Sequence, residues 1–377
     1  MNADELDGRV PVTLLTGFLG VGKTTLLNHL IRDPNAGRIA VVMNEFGDAG
    51  LDHDLIEEST EETILMQSGC LCCSIRGDLS KTLTSLMARR KRGELSFDRV
   101  VIETTGIADP GPIMHTMVVD NLIAPHYRTD GVVTVADAAT GPSTLEKQSE
   151  AVNQIAMADL VVLSKTDLVT PTELTRFETR IAGINSSAKR IKAQKGQVPL
   201  GALFGLSAMR SNVTTDDISD WLGMAKATPD PLAGLSGFAA PDSAPAALPL
   251  PTAHAHHDHK IISASIELEH PIPANVFDYW LDSLITIRGP DILRMKGIVH
   301  VEGMGWPFVF HGVQHIFDAP VPLTSWSGTD TTSRVVVIAR NMSLSLLDAS
   351  LETLRLQANE PDAQLDGMMV HTTEISI

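Results

Sequence analysis

Residues 10–25 read VPVTLLTGFLGVGKTT, and the fold turns on them. The first seven form an apolar run with no helical period, which predicts a buried strand. Gly17-Phe-Leu-Gly-Val-Gly-Lys-Thr24 then fits G-x-x-x-x-G-K-[ST], and TTLLNHLIRD continues with the period of an amphipathic helix. Strand, glycine loop and helix in that order predict a phosphate cradle. Gly17, Gly20 and Gly22 let backbone N–H groups turn inward around a β-phosphate, and the helix that follows aims its positive end at the same anion. Lys23 reaches the β/γ oxygens and Thr24 ligates Mg²⁺, with Val21 and Thr25 completing the expected nucleotide contacts.

Downstream, RIAVVMNEFG repeats the apolar-run pattern. Further strands are predicted at Thr63–Met66, Arg99–Glu103, Gly131–Asp137 and Leu160–Ser164, with helices at Leu79–Arg92, Leu145–Met157 and Pro171–Ala182. That alternation predicts an α/β domain with a parallel sheet, the P-loop NTPase architecture. VVIETTG ends its strand in Glu103-Thr-Thr-Gly106, where GTPases usually place D-x-x-G: the acid holds Mg²⁺ and the glycine N–H meets the γ-phosphate. Glu103 therefore joins Lys23 and Thr24 as a catalytic candidate. Base choice is read from Leu160-Val-Val-Leu-Ser-Lys-Thr-Asp167, because a carboxylate at Asp167 accepts from guanine N1–H and N2–H₂, a donor pair adenine lacks. Lys165 packs its stem over the base. Ser164 stands where the guanine motif more often has Asn, which calls the loop-bracing bonds into question. Ser207 and Ala208, in Gly205-Leu-Ser-Ala208, fit a backbone patch that reads guanine O6.

Cys70, Cys72 and Cys73 are the only cysteines among 377 residues, too few and too close for a disulfide framework. Three thiols in Ser68-Gly-Cys-Leu-Cys-Cys can converge on one soft ion at Zn–S distances of about 2.3 Å and leave a fourth position for an exchangeable ligand. Low-pKa thiolates for redox sensing and inert buried cysteines are the competing readings. Glu45, in Asn44-Glu-Phe-Gly47, lies where GTPases keep a first switch and could face Mg²⁺ or the thiol-bound ion. His254, His256, His257 and His259 form a loose metal-capturing tract.

Lys+Arg 29 against Asp+Glu 46 gives a net charge of −17, which argues against a nucleic-acid surface. No apolar stretch approaches 18 residues, and MNADELDGRV has neither part of a secretion signal, so a soluble cytoplasmic chain without membrane contact is expected. Length predicts two domains. Composition places residues 1–226 in the first, a Pro/Ala-rich linker with the His tract at 227–259, and a smaller α+β domain at 260–377. The last contains strands IISASIELE, RMKGIVHVEG and SRVVVIAR, with helices near Asn275–Leu284 and Leu344–Leu356. All four tryptophans lie at or beyond position 221.

GFLGVGKTT at 17–25, NEFG at 44–47, GCLCCSIRGDL at 69–79, ETTG at 103–106 and SKTD at 164–167 together resemble the CobW-type metallochaperone GTPases, relatives of HypB and UreG. The likeness extends through Arg294-Met-Lys-Gly297, Trp326 and SRVVVIAR at 333–340. It implies slow GTP hydrolysis gated by metal and by a client metalloprotein, with Cys70, Cys72 and Cys73 as the family's metal-binding cysteines. GTP, Mg²⁺ and Zn²⁺ are the implied cofactors, with Co²⁺ as the other cargo candidate and a homodimer among the assemblies allowed. Zinc supply, cobalamin synthesis and nitrile hydratase activation all occur among members. A P-loop kinase and a non-catalytic zinc buffer are the readings from other classes.

Overall fold

The structure, a computed structural model, describes residues 8–44, 63–68, 75–208, 213–223, 261–314, 316–317, 320–324, 326 and 330–356. The first half alternates strands and helices: β1 (Val10–Thr16), α1 (Lys23–Arg32), β2 (Ile39–Asn44), β3 (Thr63–Ser68), α2 (Ile75–Lys91), β4 (Arg99–Thr104) and α3 (Gly111–Val119). It continues through β5 (Tyr127–Asp137), α4 (Gly141–Lys147), α5 (Ser149–Ala156), β6 (Leu160–Ser164), α6 (Pro171–Ile184), β7 (Lys189–Lys192) and α7 (Leu200–Leu203). The strands make one seven-stranded sheet in the order β3-β2-β4-β1-β5-β6-β7, and every ladder is parallel.

Every residue of β1 is buried, because helices cover both faces of a parallel sheet. Val10, Val12 and Leu14 face Leu83, Leu86, Ile113 and Met117 of α2 and α3. On the other face Leu15 joins Val41, Val101 and Val133 against Leu26, Leu27 and Leu30 of α1. The order of strand addition reverses at β1, whose neighbours are β4 and β5, and such a switch point opens the crevice where α/β sheets bind ligands.

The remainder comprises α8 (Thr215–Leu222), β8 (Ile261–Leu268), α9 (Ala274–Arg288), β9 (Ile292–Val299), β10 (Phe308–Val313), β11 (Ile316–Phe317), β12 (Val321–Pro322), β13 (Ser333–Arg340) and α10 (Leu344–Glu352). Its sheet runs β11-β10-β9-β13-β8 with β12 paired to β10, and its ladders are antiparallel. One face packs Trp280 and Leu284 of α9 and Leu347 and Leu351 of α10 over Met295 and Val337. The opposite face meets the first half, so β9 is buried along its whole length. Trp221 and Ile218 of α8 pack there on Ile298, Val309 and Val336. The segment up to Leu222 thus packs on the second sheet although it precedes the division expected at 226.

Two charged side chains cross that interface. Arg294 and Lys296 point from β9 to Asp159, with Lys296 Nζ at 2.9 Å and the Arg294 guanidinium also donating to the Met157 carbonyl. Lys296 Nζ further donates to the Trp221 carbonyl at 3.0 Å, and Asp159 Oδ2 accepts from Val132 N–H at 2.9 Å. Burial alone would raise the Asp159 pKa, but Arg294 and Lys296 outweigh it and hold the carboxyl well below the usual carboxylate range.

Candidate functional site

Parallel strands deliver their following loops to one sheet edge. Register places Leu15 beside Glu103, Asn44 beside Thr104 and Asn44 beside Ser68, so β1, β4, β2 and β3 end side by side. Gly17 and Thr105 follow β1 and β4 at that edge, and β2 and β3 end there at Asn44 and Ser68. Cys70, Cys72, Cys73 and Glu45, like the histidines at 254–259, lie outside the described residues. Among the described residues no group of three or more His, Cys, Asp or Glu is arranged to hold a metal ion.

The loop after β1 is tight. Gly17 adopts φ 138°, and a β-carbon there would stand 2.4 Å from the Val135 carbonyl oxygen, so only glycine fits. Gly20 and Gly22 also have positive φ, and α1 begins immediately at Lys23. Lys23 folds back with Nζ 2.9 Å from Gly17 O and 3.1 Å from Phe18 O, at the mouth of the cradle. Thr24 Oγ1 donates to Glu103 Oε1 at 3.3 Å, and Glu103 is buried. Both are hard oxygen donors, the set Mg²⁺ prefers. Thr104 Oγ1 donates to Thr16 Oγ1 at 2.8 Å and ties the two strand ends together. Gly106 lies directly against the cradle: a β-carbon on it would stand 2.6 Å from Leu19 N.

Ser164 answers the question its short hydroxyl raised. Its Oγ donates to the Val21 carbonyl at 2.7 Å, which braces the glycine loop against β6. Lys165, at φ 52°, stretches Nζ to Gly20 O at 2.9 Å and to Asp137 Oδ2 at 2.7 Å. Asp137 is the last residue of β5, and it also accepts from Ala139 N–H, Thr140 N–H and Thr140 Oγ1. Burial pushes the Asp137 carboxyl up, but the Lys165 ammonium and these donors more than offset it and hold it below the ordinary value.

A cleft of about 230 Å³ opens beside the cradle, lined by Val21, Gly22, Thr25, Ser164, Lys165 and Asp167 together with Ala193, Lys195 and Gly196. Lys195, at φ 52°, and Gly196, at φ 80°, are the central residues of a turn closed by reciprocal Gln194–Gln197 backbone bonds, and Ala193 leads into it with its N–H on Leu163 O. Ser207 and Ala208 are not in this cleft. Asp130 accepts from Gly205 N–H at 2.9 Å and Leu206 covers Gly131, which carries the segment beneath the opposite end of β5. Ala208 is buried there with Val213 and Trp221. The described lining of this cleft thus includes residues of 193–196, which follow β7, and none of 205–208. Asp137, bonded to Lys165, and Gln154, whose amide reaches Gly106 O, also border this region and were not read from the sequence. Asp137 ends an apolar strand on a carboxylate, and that was the available signal.

The chain matches the CobW/HypB/UreG nucleotide-binding domain over residues 11–192 and the cobalamin synthesis protein cobW C-terminal domain over residues 261–355. It is 31% identical over 310 residues to zinc chaperone YjiA of Escherichia coli (strain K12), covering 82% of this chain and 88% of that protein. It is 32% identical over 359 residues to zinc-regulated GTPase metalloprotein activator 1 of Schizosaccharomyces pombe, covering 88% and 83%. The crystal structure of Zn(II)-bound YjiA GTPase from E. coli superposes with a TM-score of 0.68 at 25% identity, over 94% of this chain and all of that one.

Proposed function

The chain belongs to the CobW/HypB/UreG family with a CobW C-terminal domain, and on that premise we propose that it is a GTP-hydrolysing zinc chaperone that hands its metal to a client metalloprotein. The observation that carries this reading is the shared sheet edge, where β1, β2, β3 and β4 end in register. In sequence, Cys70, Cys72 and Cys73 follow Ser68, the last residue of β3, and β3 lies two strands from β4 and its Glu103. That strand order supports coupling between the phosphate-binding residues and the segment that carries the thiols. Relatives named as a zinc chaperone and a zinc-regulated GTPase support the same assignment.

In this reading Asp167 and the 193–196 turn select guanine, and Lys165 lies along the base. Lys23 exchanges its loop carbonyls for β/γ oxygens. Thr24 and Glu103 would hold Mg²⁺, which neutralises phosphate charge when bound. Gly106 N–H meets the γ-phosphate, and hydrolysis frees the Glu45 and Glu103 loops. Zn²⁺ is the cargo, held by the three thiolates with Glu45 beside them. A coupling of ~1–3 kcal/mol between nucleotide and metal would alter retention roughly 5- to 150-fold. We further propose residues 1–226 as the GTPase part, 227–259 as linker and 260–377 as the C-terminal part, acting in the cytoplasm. No described helix is long and apolar enough to cross a membrane.

A zinc competition titration with a GTP analogue and with GDP tests the mechanism, on wild type and on a variant with Cys70, Cys72 and Cys73 changed to Ser. Zinc affinity should differ between nucleotide states and collapse in the variant. Equal affinity in both states, or an unchanged high-affinity site in the variant, would overturn it.

A further inference from the structure

We propose that Gln154 of α5 is the positioning residue that holds the Gly106 loop against the phosphate cradle and so sets its competence for the γ-phosphate. This rests on the GTPase reading and adds a residue to it. Gln154 is 1% exposed, and its Nε2 donates one hydrogen to Gly106 O at 3.1 Å and the other to Ala108 O at 3.0 Å. Both hydrogens of the amide are committed. The two acceptors also fix which end of the amide is which, because the reversed orientation would set Oε1 against two carbonyl oxygens.

On its other side the same loop abuts the cradle, where Gly106 leaves no room for a β-carbon against Leu19 N. The loop is thus gripped between Leu19 and Gln154. Holding the Gly106 carbonyl fixes the Gly106–Ile107 peptide plane, and with Leu19 packed against the Gly106 Cα it limits the φ/ψ changes by which the Gly106 N–H, in the preceding peptide plane, would swing away from a γ-phosphate.

The grip has a fixed base. Thr134 Oγ1 of β5 donates to Gln154 O at 2.8 Å. Asn185 Nδ2 is shared among the carbonyls of Ile155, Ala156 and Ala158, and Arg294 takes that of Met157. The helix bearing Gln154 is therefore pinned to the first sheet, to the end of α6 and to the second sheet. Gln154 Oε1 is buried without a partner among the described residues, a cost that an apolar side chain would not carry. A side chain filling space alone needs no amide here. One clamping two carbonyls does.

The test uses the full-length chain and two variants, Gln154→Met, which removes both donors, and Gln154→Glu, whose protonated acid keeps one. GDP and GTP-analogue affinities and single-turnover GTP hydrolysis are measured across pH. In Gln154→Met, hydrolysis should fall about 10- to 100-fold and analogue affinity should weaken, while GDP affinity stays at the wild-type value. Gln154→Glu should be intermediate at acid pH and decline towards the methionine variant as its carboxyl ionises, a limb the wild type lacks. Unchanged hydrolysis and an unchanged analogue-to-GDP ratio in the folded variants would overturn the proposal. So would a parallel loss of both nucleotides, which marks a merely structural role. Should Gln154→Met fail to fold, a flat pH profile in Gln154→Glu overturns it and the limb supports it. If wild type binds GTP no better than ATP, the GTPase reading falls separately, and the triphosphate-to-diphosphate ratio of the nucleotide that does bind still reads the clamp.

Discussion

Ser164 does with one hydroxyl what a longer amide does elsewhere, because Val21 O comes within 2.7 Å of it. Ser164→Ala removes that donor from a partly buried carbonyl. The loss should be about 1 kcal/mol, or roughly fivefold weaker GTP binding in a calorimetric titration. Asp137 acts through Lys165. Its folded pKa is depressed, so its contribution is present at neutral pH and disappears as pH falls through the carboxylate's own range. GTP affinity should show that acid limb, and Asp137→Asn should remove it while weakening binding at neutral pH. Asp167→Asn should instead erode the preference for GTP over ATP. The cradle residues Gly17 to Thr24 were legible because they are contiguous. Asp137 and Gln154 were not, because their roles come from partners 28 and 48 positions away.

β7 explains why the pocket wall escaped notice. It reads Lys-Arg-Ile-Lys, pairs only with β6, and has the charged, largely exposed pattern of a protected edge strand instead of the apolar run that announces β1. The turn after it therefore had no visible strand to follow, and the later Ser207-Ala208 dipeptide took its place in the reading. Gly196→Val tests the reassignment. At φ 80°, with Thr25 Cγ2 only 2.8 Å from the added β-carbon, the side chain must disturb either the turn or α1. GTP and GDP affinities should both drop, by about tenfold or more, in a calorimetric titration. Elsewhere the expected elements fell on observed ones, but α3, α8 and β10 had no expectation over them, and the helix expected over 145–157 is divided at Gln148, whose φ −126° and ψ 107° are extended.

At the scale of the whole molecule, the composition shift gave no sign of what joins the two sheets. Arg294 and Lys296 look like outward residues of an alternating strand, yet both are buried on Asp159. Asp159→Ala leaves two buried cations facing each other and should cost ~3–5 kcal/mol in a denaturant melt, more than Lys296→Met, which removes one cation and leaves the Arg294 pair. Because the Asp159 pKa is depressed on folding, its stabilisation is complete at neutral pH and lost progressively below the ordinary aspartate range. The same cluster imposes an order of birth on the chain. Arg294 is translated 135 residues after Asp159, and at ~5–20 residues per second that is a wait of about 7 to 27 s. The nascent first sheet must pass that time with its key carboxylate hydrated at the ribosome's mouth, and only the arrival of β9 closes it.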